Sequence, residues 1–180
     1  EELDIPVFHD DQHGTAIVVL AGLINALKLT RRKIHETRFV INGAGAAGLA
    51  ITKILMLEGA KDISVLDSKG GIYEGRDSLN EYKQEISEKI NSRPGSLKQL
   101  IKGSDVFIGV SKGNILEKGD IESMNSEPII FALANPIPEI DPEIAKAGGA
   151  RVVATGRSDH PNQINSGWAF PGLFKGVLKN

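Results

Sequence analysis

Cysteine is absent from the 180 residues, and aromatic side chains make up only 5% of them. Without a thiol there can be neither a disulfide framework nor a thiolate zinc site, which agrees with a reducing compartment, so a cytoplasmic location is the expectation. Charge of one sign is missing too. Twenty-one Lys and Arg against 23 Asp and Glu leave a net charge of −2, and no run of five or six basic residues is present, so nucleic acid is not an expected partner. The longest apolar run, Ala16 to Ile24, falls short of the roughly 18 to 20 residues that span a bilayer, and no membrane crossing is expected. The chain opens on Glu1-Glu2-Leu3-Asp4 with neither Met nor a signal-like segment and reads as a piece of a longer protein.

Glycine, by contrast, is plentiful, with 20 residues. That suits a backbone with many tight strand-to-helix turns, and the length suits a single domain with one sizeable core. Thr15 to Leu29 is too long for a strand and too apolar for a surface helix, so a largely buried helix is expected there. A strand, Arg38 to Asn42, runs into Gly43-Ala44-Gly45-Ala46-Ala47-Gly48 and a helix carrying Leu49, Ile51, Ile54, Leu55 and Leu57. Further strands are predicted at Asp62 to Leu66, Asp105 to Val110, Pro128 to Leu133 and Arg151 to Ala154. Helices are predicted at Ser78 to Ile90, Ser96 to Ile101, Pro142 to Ala147 and Gly172 to Leu178. Strands apolar on both faces that alternate with helices imply an α/β, doubly wound, mostly parallel Rossmann-type sheet with helices on both faces. No internal repeat divides residues 1–180.

Four places carry chemistry. Gly43-x-Gly45-x-x-Gly48 follows a strand and opens a helix, the setting in which this spacing seats a pyrophosphate: the first glycine allows the turn, the second the approach of the dinucleotide, the third close helix packing. Asp67 stands at the end of the second strand, 19 residues after Gly48, where a carboxylate accepts from the adenosine ribose and repels a 2′-phosphate. That favours NAD over NADP, although Lys69 nearby could attract a phosphate. Phe8-His9-Asp10-Asp11-Gln12-His13-Gly14-Thr15 sets two carboxylates and two imidazoles before the buried helix, which reads equally as helix capping or as part of a metal site. A hard cation needs more oxygens than this segment offers. Asn135, before Pro136, and Asn165 fall at or beyond the carboxyl ends of strands, where amides can meet a carboxylate or a carboxamide and where turn chemistry alone would also place them. His35 and His160 fit no pattern.

In order, FHDDQHGTA, NGAGAAG, VLDSKG, FALANP, ATGRSDHPNQIN and AFPG resemble the bacterial type of malic enzyme, in its NAD-binding domain, from Pro6 to the C-terminal end. The resemblance implies oxidative decarboxylation of malate to pyruvate and CO2 with NAD or NADP and Mg²⁺ or Mn²⁺. The metal would chelate malate, and hydride would pass from C2 to the nicotinamide before metal-assisted decarboxylation. It makes Asp11 a metal ligand and Asp10 the residue that orients the family's catalytic lysine. Thr15 would approach the cofactor, Gly43, Ala44, Gly45, Ala46, Ala47 and Gly48 would wrap the pyrophosphate, and Asn135 and Asn165 would meet substrate and nicotinamide. The family usually has two adjacent asparagines where this chain has Asn165-Ser166, so Ser166 would weaken or retune a contact to malate. The lysine base, the tyrosine acid and a Glu-Asp metal pair belong upstream, so the isolated chain is expected to be inactive and the full-length enzyme to be a homo-oligomer. Two alternatives stay open: another two-domain Rossmann dehydrogenase, of the methylenetetrahydrofolate or glutamate dehydrogenase kind, and a module that senses NAD without turnover.

Overall fold

The computed structural model describes Asp4 and residues 7–179; Glu1 to Leu3, on which the reading as a piece of a longer protein rests, lie outside them. Six strands form one sheet: β1 (Arg38–Asn42), β2 (Asp62–Asp67), β3 (Gly70–Ile72), β4 (Val106–Gly109), β5 (Ile129–Ala132) and β6 (Val152–Thr155). Their order is β3-β2-β1-β4-β5-β6. Every neighbouring pair is parallel except the antiparallel β2 and β3, so the doubly wound, mostly parallel expectation holds. The direction of winding reverses between β1 and β4, and the crevice beyond the carboxyl ends of those two strands is where such a sheet takes a ligand.

Alternation along each strand feeds two apolar layers. Phe39 and Ile41 of β1, with Ile63, Val65, Ile108 and Phe131, face one layer. It is closed by α1 (Thr15–Thr30) and α2 (Ala46–Leu57), whose Val19, Leu23, Ile51 and Leu55 are fully buried. Val40, Phe107, Ile130 and Val153 face the other layer, with Leu100, Ile121 and Ala145. Those three come from the short helices α4 (Leu97–Leu100), α5 (Lys118–Glu122) and α6 (Pro142–Ala147). Truncating a residue such as Leu23 to Ala would remove about 2–5 kcal/mol. With the preceding π-helical turn Asp10–Gly14, α1 is 21 residues long and apolar enough, by length and composition, to cross a membrane. It is less buried than expected: Ala16, Val19, Leu23, Ala26 and Leu27 pack into the layer with α2, while Ile17, Ile24 and Leu29 are exposed.

Several boundaries move. The helix expected over Ser78 to Ile90 is α3 (Glu81–Ser87), because Ser78 takes a left-handed backbone (φ +60°) and Asn80 caps the first turn by accepting from the Lys83 amide. Strand β3 and helix α5 were not anticipated. The last helix, α7 (Phe170–Val177), begins earlier than expected, with Pro171 in its first turn.

Candidate functional site

The glycine turn after β1 has the geometry its spacing demands. Gly43 sits at φ +126°, and a Cβ there would stand 2.6 Å from the Val110 carbonyl oxygen. A Cβ on Gly48 would stand 1.7 Å from the Gly43 oxygen, whereas one on Gly45 would meet nothing within 4 Å. The first and third positions are thus closed by the protein's own backbone, and the second opens onto free space over the N-terminus of α2. There the first-turn amides lack helical partners and the helix dipole favours an anion. Gly43 donates to Leu66 O at 2.9 Å, which ties the turn to β2.

Two depressions flank that helix end. The first, about 1010 Å³, is lined among others by Gly43, Ala44, Gly45, Asp67, Arg76 and Lys83. Asp67 occupies the expected place at the end of β2, but it is not the free carboxylate that the sequence reading assumes. Its Oδ1 accepts from Arg76 Nη2 and its Oδ2 from Lys83 Nζ, each at 2.8 Å, and Oδ1 also accepts from the Lys69 amide at 2.9 Å. Burial by itself would raise this carboxyl; the Lys83 and Arg76 bonds outweigh it and hold the group at about 2. Arg76 and Lys83 reach it from the loop after β3 and from α3, segments whose sequence carries no recognisable spacing, and so they were missed. Two cations beside Asp67 remove the premise on which NAD was preferred to NADP.

The second depression, about 360 Å³, brings together Asp11, Thr15, Ala47, Ser111, Asn135, Asn165 and Ser166. Residues separated by up to 155 positions therefore share one pocket, reached from the N-terminus of α1, the β4 and β5 loops and the 3₁₀ turn Ser166–Trp168. Asn165 caps that turn by accepting from the Gly167 amide at 2.9 Å, which leaves its Nδ2 for a ligand. Asn135 precedes a cis peptide bond to Pro136. Ser166, expected to touch substrate, lines the pocket and donates to Asp10 Oδ2 at 2.6 Å. Asp10 Oδ1 is buried without a partner among the described residues, in space that a Cβ on Gly14 would enter to within 2.3 Å. Asp11 is exposed at the pocket wall.

The sequence pattern of the family described as "Malic enzyme, NAD binding domain" matches residues 12–180. The bifunctional malic/malolactic enzyme of Bacillus subtilis (strain 168) is 56% identical over 181 residues, covering 99% of this chain and 44% of that protein. An NADP-dependent malic enzyme of Rhizobium meliloti (strain 1021) is 47% identical over 182 residues, covering 99% of this chain and 24% of that protein. The crystal structure of the NAD-dependent malic enzyme from Thermotoga maritima superposes with a TM-score of 0.93 at 54% identity, over 97% of this chain and 48% of that one. The chain spans less than half the length of each of these relatives.

Proposed function

Because this chain belongs to the malic enzyme family, as that family's NAD-binding domain, we propose that it supplies the dinucleotide site and part of the substrate and metal site of an enzyme that decarboxylates malate oxidatively to pyruvate and CO2. The observation that carries this is the meeting, on either side of one helix N-terminus, of a glycine turn open at Gly45 and a pocket lined by Asp11, Thr15, Asn135 and Asn165.

The residues fit a dinucleotide. The amides of residues 44–47 and the dipole of α2 would hold the pyrophosphate, with the adenosine toward Asp67 and the nicotinamide toward Asn135 and Asn165. A bound NAD or NADP supplies the hydride acceptor. Thr15 and the amides of Asn135 and Asn165 would orient the carboxamide and the carboxylate of malate so that the C2 hydrogen faces the ring. Asp10, fixed by Ser166 and with one oxygen unpartnered, is placed to accept from a donor outside these residues, in keeping with an upstream lysine.

The residues do not by themselves fit a metal. Among the described residues no group of three or more His, Cys, Asp or Glu could hold one. Asp11 is proposed as the one carboxylate this chain contributes toward Mg²⁺ or Mn²⁺. A homo-oligomeric enzyme is supported by apolar side chains left outside, Ile17, Phe174, Val177 and Leu178 among them.

Calorimetry of the purified chain should show NAD binding, while absorbance of reduced cofactor with malate and Mn²⁺ stays flat, because general acid and base groups worth about 10²- to 10⁴-fold each lie elsewhere. A metal-dependent rise would show that His9, Asp10, His13 or Lys112 supplies that chemistry. In the full-length enzyme, Asp11→Asn should raise the metal requirement and leave NAD binding intact; an unchanged requirement returns this segment to helix capping.

A further inference from the structure

Glu139 is fully buried, and the chemistry described so far does not use it. Among the described residues its carboxylate meets no cation. Oε1 accepts from the Ser111 amide at 3.1 Å and Oε2 from the Ala134 amide at 3.0 Å. Those amides belong to two different loops, the one after β4 and the one after β5, and both loops line the pocket that holds Asn135. The carboxylate lies in a space kept by Gly109 at the end of β4, where a Cβ would stand 2.3 Å from Glu139 Cδ. The backbone around it is stitched in the same sense: Asn114 donates to Pro138 O at 3.0 Å, and Ile115 and Leu116 donate to Glu139 O at 2.9 and 3.0 Å. Ser111 Oγ in turn accepts from Asn42 Nδ2 at 2.7 Å, so the connection reaches the end of β1 across the point where the sheet reverses its winding.

Burying a carboxylate without a cation is costly, and two backbone amides only partly offset the cost. Burial pushes the Glu139 carboxyl up, and the Ala134 and Ser111 amides pull it partway back. A structural clip alone could be made by a neutral amide or hydroxyl. A carboxylate, which accepts at both oxygens and donates at neither, holds both N–H groups at once and sets the spacing between the two loops.

We infer that Glu139 is the positioning residue for the nicotinamide half of the site: by clamping the loops after β4 and β5 it fixes where Ser111 and Asn135 meet the ligand. The inference rests on the reading of this crevice as a dinucleotide site. Glu139 acts through those loops and touches no ligand itself.

The test compares three ligands on the 180-residue chain by calorimetry: AMP for the adenosine half, ADP-ribose for all but the nicotinamide, and NAD. In Glu139→Gln an NH2 group faces one of the two amides, so one charge-assisted bond is lost and a repulsive contact replaces it. NAD affinity should fall about tenfold, toward that of ADP-ribose, while AMP and ADP-ribose stay within about twofold. Gly109→Ala, which crowds the carboxylate from behind without altering either loop's sequence, should reproduce the pattern and serves if the Gln variant fails to fold. Equal weakening of all three ligands would reduce Glu139 to a general structural role and overturn the inference. So would unchanged NAD affinity, or equal binding of NAD and ADP-ribose by the unaltered chain. Failure of the unaltered chain to bind AMP or NAD at all would instead overturn the dinucleotide reading on which it stands.

Discussion

Replacing Asp67 with Asn tests whether charge at the adenosine end selects the coenzyme. In the folded chain one carboxylate is held by two cations, Arg76 and Lys83, at 2.8 Å each, and the three side chains are only 13%, 9% and 22% exposed. The cluster therefore carries one net positive charge, and the Asn variant would carry two. The 2′-phosphate of NADP brings a charge of about −2 at neutral pH. One additional unit of positive charge about 5–6 Å away is worth about 1–1.5 kcal/mol in a water-like dielectric before salt screens it. The NADP-to-NAD affinity ratio should rise about fivefold to tenfold. Stability should move the other way. The Asp67 carboxyl stands at about 2 in the folded chain against 3.8 otherwise, so between those values the unfolded chain takes up its proton first. The contribution of the cluster is complete above about pH 4 and is lost as pH falls toward 2, and it amounts to about 1–2 kcal/mol once solvent screening is allowed for. Titrating wild type and variant with both coenzymes, and following acid unfolding by circular dichroism, measures both effects. A ratio that stays constant or shifts toward NAD would refute the electrostatic argument. An unchanged acid profile between pH 4 and 2 would refute the linkage.

Two further changes probe the turn and the pocket. Gly48→Ala places a Cβ 1.7 Å from the Gly43 oxygen, which no rotamer can relieve, so the turn must open; NAD binding measured by calorimetry should be lost and the melting temperature should fall, whereas Gly45→Ala should fold normally and only weaken NAD. Ser166→Ala removes the 2.6 Å bond to Asp10 and leaves both oxygens of that carboxylate without an internal partner. A loss of about 1–2 kcal/mol is expected, a drop of roughly 2–8 °C for a domain of this size; an unchanged melting temperature would show that the pair contributes nothing.

Much of the architecture was legible because it is written in local periodicity. β1, the glycine turn and α2 follow one another as an apolar run, three glycines at set spacing and a helical stripe, and each signal depends only on near neighbours in the chain. β3 was not legible: Gly70-Gly71-Ile72 has little strand propensity of its own, and it pairs because β2 presents an edge and Arg76 donates to the Gly70 and Gly71 carbonyls at 3.1 and 2.9 Å. The five residues of α5 are too few to show a period, and their helix is set by Asp120, which accepts from the Glu117 amide at 2.8 Å, and by buried Ile121.

The sequence by itself determined the sheet type, the position of the glycine turn and the identities of Asp11, Asn135 and Asn165 as candidates, since side-chain chemistry and strand-to-helix order are properties of short segments. Which of those groups are free to act was decided only in three dimensions. Asp67 is held by Arg76 and Lys83, Ser166 donates to Asp10, and Glu139 accepts from two loops out of a space kept by Gly109. Each of these pairings joins residues brought together by the winding of the sheet, and a carboxylate's availability depends on the donors that surround it rather than on its neighbours along the chain.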